Sequence, residues 1–375
     1  MSHAAYSDQH PEYWREYSNL QHVKHALIRE YLKGWFPKVG LWAGRILYID
    51  THAGRGRHLT GELGSPLVAL RTFLEHSHRE RILERSEVRF VFIERDEDNL
   101  EALESELRGF CPLPRNVAVG AYAGDCEEVL RAGLAALRDG RKQLAPSFVF
   151  VDPYGFKIRY SLLRDFMSFQ TVELFVNVMW RYLNMAFTQA SESAGMAQAL
   201  DYTFDVVDWR EAITADDHDT RAEQLLELID NSVRCKWMTS VQMLGANQTT
   251  NYVLAHLTNH KAGRDLMKQV MWKVCPSHDG VFVARKTDDP AQGVLLRIEP
   301  DLQPLAGLVL SALRTGPLRW KQFHVMIRDT SWLPKHVNQV IRELRRSGKI
   351  DWDGAFSATA NPLLRLRAHR HHDDP

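Results

Sequence analysis

Cysteine is scarce in this chain, and its few copies fall at uninformative spacings. The four cysteines, Cys111, Cys126, Cys235 and Cys275, form neither a metal-ligand pattern nor a disulfide framework, so they read as reduced thiols and the chain is not itself an iron–sulfur protein. No apolar run approaches the roughly 18 residues that a membrane-crossing helix needs, and no secretory apolar stretch opens the sequence. The cytoplasm is the expected location. Net charge is missing too, with 47 basic against 47 acidic residues, so no overall field draws the protein to nucleic acid or to a membrane. A length of 375 residues leaves room for about two domains at roughly 100 to 200 residues each.

What is present begins with Leu47-Tyr48-Ile49-Asp50, a short apolar run ending in an acid, followed by the small turn Thr51-His52-Ala53-Gly54-Arg55-Gly56. A cofactor lying across the carboxyl end of a strand must approach the backbone closely, and only Gly or Ala leaves room for it. Ala53, Gly54 and Gly56 supply that room, with Asp50 placed to orient the loop or accept a hydrogen bond from the ligand. No lysine of the phosphate-loop kind follows these glycines, which argues against a kinase or ATPase.

Three further apolar runs also end in acids. Val88 to Glu94 puts Glu94 where doubly wound folds bind a ribose. Asn116 to Val119 leads to Gly124-Asp125, and Asp125 is a candidate for an adenine amino group. Pro146 to Val151 runs into Asp152-Pro153-Tyr154-Gly155. Each acid has a structural alternative, because Asp and Glu also cap the helix that follows a strand; four at one sheet edge fit a binding site better. The stretches Leu67 to Leu74 and Asn99 to Leu107 have helical period and lie between the runs. Leu174 to Met179 makes a fifth strand, and Ser240 to Leu244 with Asn251 to Leu257 reads as a hairpin. The fold class expected is α/β, a doubly wound Rossmann-like sheet. Asn177, in the fifth strand, and Trp180 just after it are substrate-pocket candidates, the alternative for Trp180 being packing under a helical insertion at about 186–233.

After Pro300 the character changes. Leu305 to Leu313, Trp320 to Ile327 and Pro334 to Ser347 read as three short helices, the third with Val337, Val340, Ile341 and Leu344 on one face, and Gly348 to Trp352 turns into a strand. That is the pattern of a winged helix-turn-helix. Lys335, Arg342 and Arg345 lie off the apolar face of the third helix and are candidates for contact with DNA or RNA; protein docking is the alternative. The tail residues His369, His371 and His372 have metal-binding chemistry, but a terminal polar tract is more often disordered, and no metal is expected.

Five parallel strands closed by a hairpin, with the order Asp-x-x-Ala-Gly-x-Gly at Asp50 to Gly56 and Asp-Pro-Tyr-Gly at Asp152 to Gly155, resemble the amino-methyltransferase class. The resemblance implies S-adenosylmethionine as cofactor and Asp152, Pro153 and Tyr154 as the catalytic loop. That class carries a second proline and then an aromatic residue where this chain has Tyr154 and Gly155. Across most of its length the chain is also similar to the three-Cys-motif partner protein family (TcmP). The similarity runs through Lys24-His25, Tyr48 to Gly56, Gly64 to Leu70, Phe92 to Asp96, Phe150 to Lys157, Val176 to Met179, and Gly263 to Lys268 with Met271-Trp272. It implies a radical-type three-Cys-motif protein as partner. The expected organisation is a methyltransferase-like domain over 1–286 and a winged helix over 300–375. The expected function is methyl transfer to a nucleic-acid amine, and the alternative is a nucleic-acid-binding or partner-docking protein whose methyltransferase fold is non-catalytic.

Overall fold

A computed structural model describes residues 14–15, 17–275, 282–285 and 300–367. The histidine-rich tail lies outside the described residues. Packing divides the chain into two units, 1–270 with 283–293 and 271–282 with 294–375.

In the first unit the apolar runs form β1 (Arg45–Asp50), β2 (Glu87–Glu94), β3 (Val117–Ala123), β4 (Ser147–Val151), β5 (Val172–Val178), β6 (Trp237–Leu244), β7 (Thr250–Thr258) and β8 (Val283–Arg285). They make one sheet in the order β3-β2-β1-β4-β5-β7-β6-β8. β1 to β5 are mutually parallel, and β7 pairs antiparallel with both β5 and β6. Every residue of β4 and β5 is buried, as expected of parallel strands covered on both faces. At the far edge, β3 has no charged residue, and the Tyr122 ring lies over Gly120, 2.7 Å from where a Cβ would stand there.

The helices follow from caps and apolar stripes. In α1 (Asn19–Gly40), Ser18 and Gln21 form a capping box. Leu20, Lys24, Leu27, Ile28 and Tyr31 then fall at the 3.6-residue period on its buried face. Tyr31 donates to the Glu173 carboxylate of β5, which His256 of β7 also meets at 2.9 Å, so α1 is fixed to the sheet by a buried polar contact as well as by packing. Then come α2 (Ser65–Leu74), α3 (Arg79–Leu83), α4 (Glu97–Arg108), capped by Asp96, and α5 (Cys126–Asp139), capped by Asp125. After α6 (Tyr160–Met167), the stretch between β5 and β6 is filled by α7 (Trp180–Gln189), α8 (Ala194–Thr203), α9 (Trp209–Ala212) and α10 (His218–Val233). Leu183, Leu200, Leu225 and Ile229 from these helices, with Phe204 just after α8, share one core with Val149 and Val176 of the sheet. α11 (Lys261–Val274) follows β7.

The second unit contains α12 (Gln303–Arg314), α13 (Trp320–Met326) and α14 (Pro334–Arg346), with β9 (Leu318–Arg319), β10 (Ile350–Trp352) and β11 (Leu363–Leu366) in the order β10-β11-β9. Val337, Val340, Ile341 and Leu344 of α14 are buried with Leu305, Val309 and Phe323. Among the described residues no helix is long and apolar enough to cross a membrane.

Candidate functional site

The strand order reverses between β1 and β4, and in such sheets the crevice beyond the carboxyl ends is where ligands bind. A cleft of about 560 Å³ lies there, lined by Ala53, Gly54, Glu94, Asp152, Pro153, Tyr154 and Asn177 and walled by the first turns of α1.

The glycine loop is braced from below. Gly54 donates its N–H to Glu94 Oε2 at 2.7 Å, and Asp96 donates to Glu94 Oε1 at 2.8 Å, so the acid at the end of β2 holds the loop as well as facing the cleft. Gly54 has φ +61°, a conformation costly for residues with a Cβ. The Trp14 ring stands 2.4 Å from where that Cβ would be. Gly56 does not line the cleft; the space beside its Cα is closed by Leu103 and Leu67, and its carbonyl accepts from Gly64 at 2.7 Å.

Asp152 sits at the mouth of β4 with both oxygens engaged. Lys24 Nζ from α1 meets Oδ2 at 2.5 Å, and Asn177 Nδ2 from β5 donates to Oδ1 at 2.5 Å. Because the amide nitrogen must face the carboxylate, Asn177 Oδ1 points away from Asp152. It is buried without a hydrogen-bond partner.

Beneath the cleft floor lies Asp50, fully buried. Its Oδ1 accepts from His52 N at 3.3 Å and its Oδ2 has no well-formed hydrogen bond. Burial, reinforced by the neighbouring Asp152 carboxylate and only partly offset by Ser65 and Lys24, lifts its carboxyl to about 7. The histidines around the cleft move the other way. Burial holds His52 down at about 4 and His58 at about 4, and lowers His25 together with the adjacent Lys24 charge. All three are neutral near pH 7.

Like Asp50 and Gly56, two more expected site residues stand off the cleft lining. Asp125 does not line the cleft; its Oδ1 accepts from the N–H groups of Glu127 and Glu128, the helix-capping role open to any acid at a strand end. Trp180, expected to border the substrate, is instead 1% exposed in the core under the α7–α10 insertion, its Nε1 bonded to His218 Nε2 at 2.7 Å. The reason is that α7 begins at Trp180 and turns its first residue inward.

Sequence reasoning did not single out Lys24 for the cleft, nor Trp14 or His58. The signal for Lys24 was there: a lone cation at a position of α1 otherwise filled by Leu20, Leu27, Ile28 and Tyr31 needs a buried partner. Among the described residues no group of three His, Cys, Asp or Glu could hold a metal ion.

In the second unit Lys335, Arg342 and Arg345 are exposed on α14. Arg345 stacks 3.9 Å over Trp352 and meets Asp351 at 3.4 Å, while Arg342 lies 5.4 Å from the Phe356 ring.

No family model matches the chain, and no curated protein does. Among solved structures it is similar to Trm1 from Pyrococcus horikoshii, determined with S-adenosyl-L-methionine, at 11% identity and TM-score 0.39 over 95% of this chain and 92% of that one. It is similar to a DUF519 protein from Legionella pneumophila at 14% identity and TM-score 0.35, over 68% of this chain and 92% of that one. A candidate methyltransferase from Porphyromonas gingivalis matches at 9% identity and TM-score 0.27 over 61% of this chain; this chain spans only 40% of that protein's length. At these identities and scores nothing about reaction or substrate follows.

Proposed function

We propose that the chain is an S-adenosylmethionine-dependent methyltransferase of the three-Cys-motif partner type, acting on an amine. The observation that carries the reading is Asp152, presented at the switch point of the sheet beside the side-chain-free turn at Gly54 and gripped by Asn177.

The residues present suit the cofactor. A nucleoside needs a loop that its atoms can approach and an acid for its hydroxyls; Ala53, Gly54 and Glu94 provide both. Its amino-acid end needs a cation, and Lys24 lines the same cleft. When bound, the cofactor supplies a sulfonium methyl open to attack by an amine nitrogen. The protein's part is orientation, which alone can lower such a barrier by several kcal/mol. Asp152 is placed to accept a hydrogen bond from the acceptor's N–H and the proton it sheds, and Asn177 holds its carboxylate toward the cleft. Tyr154 borders the cleft where a planar acceptor would stack.

The second unit supports a nucleic-acid amine as acceptor. Its three helices and small antiparallel sheet, with Lys335, Arg342 and Arg345 exposed on α14, fit the winged helix-turn-helix expected from the sequence, a fold able to hold phosphates. A reading without catalysis draws on Trp14, whose ring covers Gly54; in it the chain docks nucleic acid or a three-Cys-motif partner, and cofactor titration gives no heat.

The experiment is transfer of radiolabelled methyl to RNA, DNA and cell-extract protein by the parental chain and by Asp152→Asn. Label entering nucleic acid only with Asp152 present supports the reading. Equal transfer by Asp152→Asn would remove Asp152 from the mechanism.

A further inference from the structure

Asp152 carries a difficulty for the reaction just proposed. An acceptor amine must give its proton to this carboxylate, yet Oδ1 already accepts from Asn177 and Oδ2 carries the Lys24 ammonium, whose positive charge opposes the arrival of that proton. Asn177 is 5% exposed on a fully buried strand, so it stays. Lys24 is as buried, at 4% exposed, but it differs in reach: its ammonium rides on a flexible four-carbon stem with three rotatable donors, so it can turn to a new anion in the cleft that replaces the carboxylate it leaves.

Among the described residues lining the cleft, Lys24 is the only lysine or arginine. The histidines beside it are held neutral by burial. The other charged groups on the lining, Glu94 and Asp152, are carboxylates. A ligand bringing a carboxylate into this space has one cation to pair with, and that cation sits 2.5 Å from Asp152.

Resting on the methyltransferase reading, we infer that Lys24 is the counter-ion for the cofactor's α-carboxylate and that, in turning to it, Lys24 releases Asp152 Oδ2 for the acceptor amine. Lys24 is thus a cofactor-binding residue whose partner exchange arms the acceptor site. Cofactor binding precedes productive acceptor binding, and each raises the affinity of the other by the same factor. The exchange keeps charge balanced, because a carboxylate replaces a carboxylate at Nζ and the cofactor's sulfonium and ammonium bring the positive charge that offsets the freed Asp152.

The test is calorimetric titration of the full chain with S-adenosylmethionine and with decarboxylated S-adenosylmethionine, which differ only in the carboxylate. The parental protein is expected to prefer the carboxylated ligand by about tenfold or more, the scale of a charge-assisted hydrogen bond. Lys24→Met loses that preference, and Lys24→Arg restores most of it. Asp152→Asn raises the preference severalfold, because Lys24 no longer has a competing partner. A Lys24→Met protein with the parental preference, or one weakened equally toward both ligands, overturns the assignment of Lys24. An Asp152→Asn preference equal to or below the parental one overturns the release of Asp152, and this variant is decisive even where Lys24→Met fails to fold. Absence of binding of both ligands to the parental protein defeats the cofactor reading and this inference with it. Tight binding that is insensitive to Lys24 defeats the inference alone.

Discussion

Replacing Asp50 by asparagine isolates one buried titration. Asparagine has the shape of the protonated acid and can keep the bond from His52 N, but it cannot ionise. In the folded parental chain the Asp50 carboxyl is lifted from 3.8 to about 7 by burial and by Asp152, while in the unfolded chain it ionises at its ordinary value. Between these two values the folded state holds a proton that the unfolded state has lost, so stability falls as pH rises. The contribution of the neutral acid is fully present below about pH 4 and has been lost once pH passes about 7. A gap of about three pH units at about 1.36 kcal/mol each makes this about 4 kcal/mol. The assay is urea unfolding of both proteins at several values from pH 4 to pH 8, reading the difference in unfolding free energy, in which the histidine titrations common to both cancel. The stability of Asp50→Asn relative to the parental chain should climb by about 4 kcal/mol across that range. A difference that stays flat would refute the claim that Asp50 is buried as a neutral acid.

Other outcomes follow from the geometry. Gly54→Ala should lower stability by about 1 to 2 kcal/mol from its left-handed backbone alone, and by more because the added methyl meets Trp14; in a Trp14→Ala background, thermal melts should show only the backbone part. Trp180→Ala should cost about 3 to 5 kcal/mol in chemical unfolding, the usual penalty for emptying a large aromatic site, and a cost below about 1 kcal/mol would return Trp180 to the cleft. Replacing Lys335, Arg342 and Arg345 together by alanine should make the slope of log affinity for nucleic acid against log salt shallower by about 2 to 3, close to one unit per lost phosphate contact; an unchanged slope would take α14 off the nucleic acid.

The sheet was legible because β1, β2, β4 and β5 are predominantly apolar runs bounded by turn residues, and their boundaries fall within a few residues of the expected ones. The helix faces were legible for the same reason of period, down to Val337, Val340, Ile341 and Leu344 in α14. The acids at strand ends were ambiguous in principle, since a carboxylate at that place serves a ligand or the following helix equally well. Glu94 and Asp152 face the cleft, whereas Asp125 caps α5, and nothing local in the sequence separates these cases. Trp180 turned inward because the orientation of the first residue of a helix depends on how that helix docks, a tertiary matter. Lys24 was hidden by distance along the chain: its partner is 128 residues away.

The β3 edge raises a matter of solution behaviour. Among the described residues Val117 to Ala123 is an edge strand that pairs on one side alone, with no charged side chain to discourage another strand from adding to it. The bulk beside that side is the Tyr122 ring, folded over the face of the strand at Gly120. A single aromatic cover of this kind is easily undone. Tyr122→Ser would leave the sheet's outer rim open to self-association, so concentrated preparations of that variant should gain fibrillar or amorphous aggregate while the chemistry of the cleft, two strands away, is unchanged.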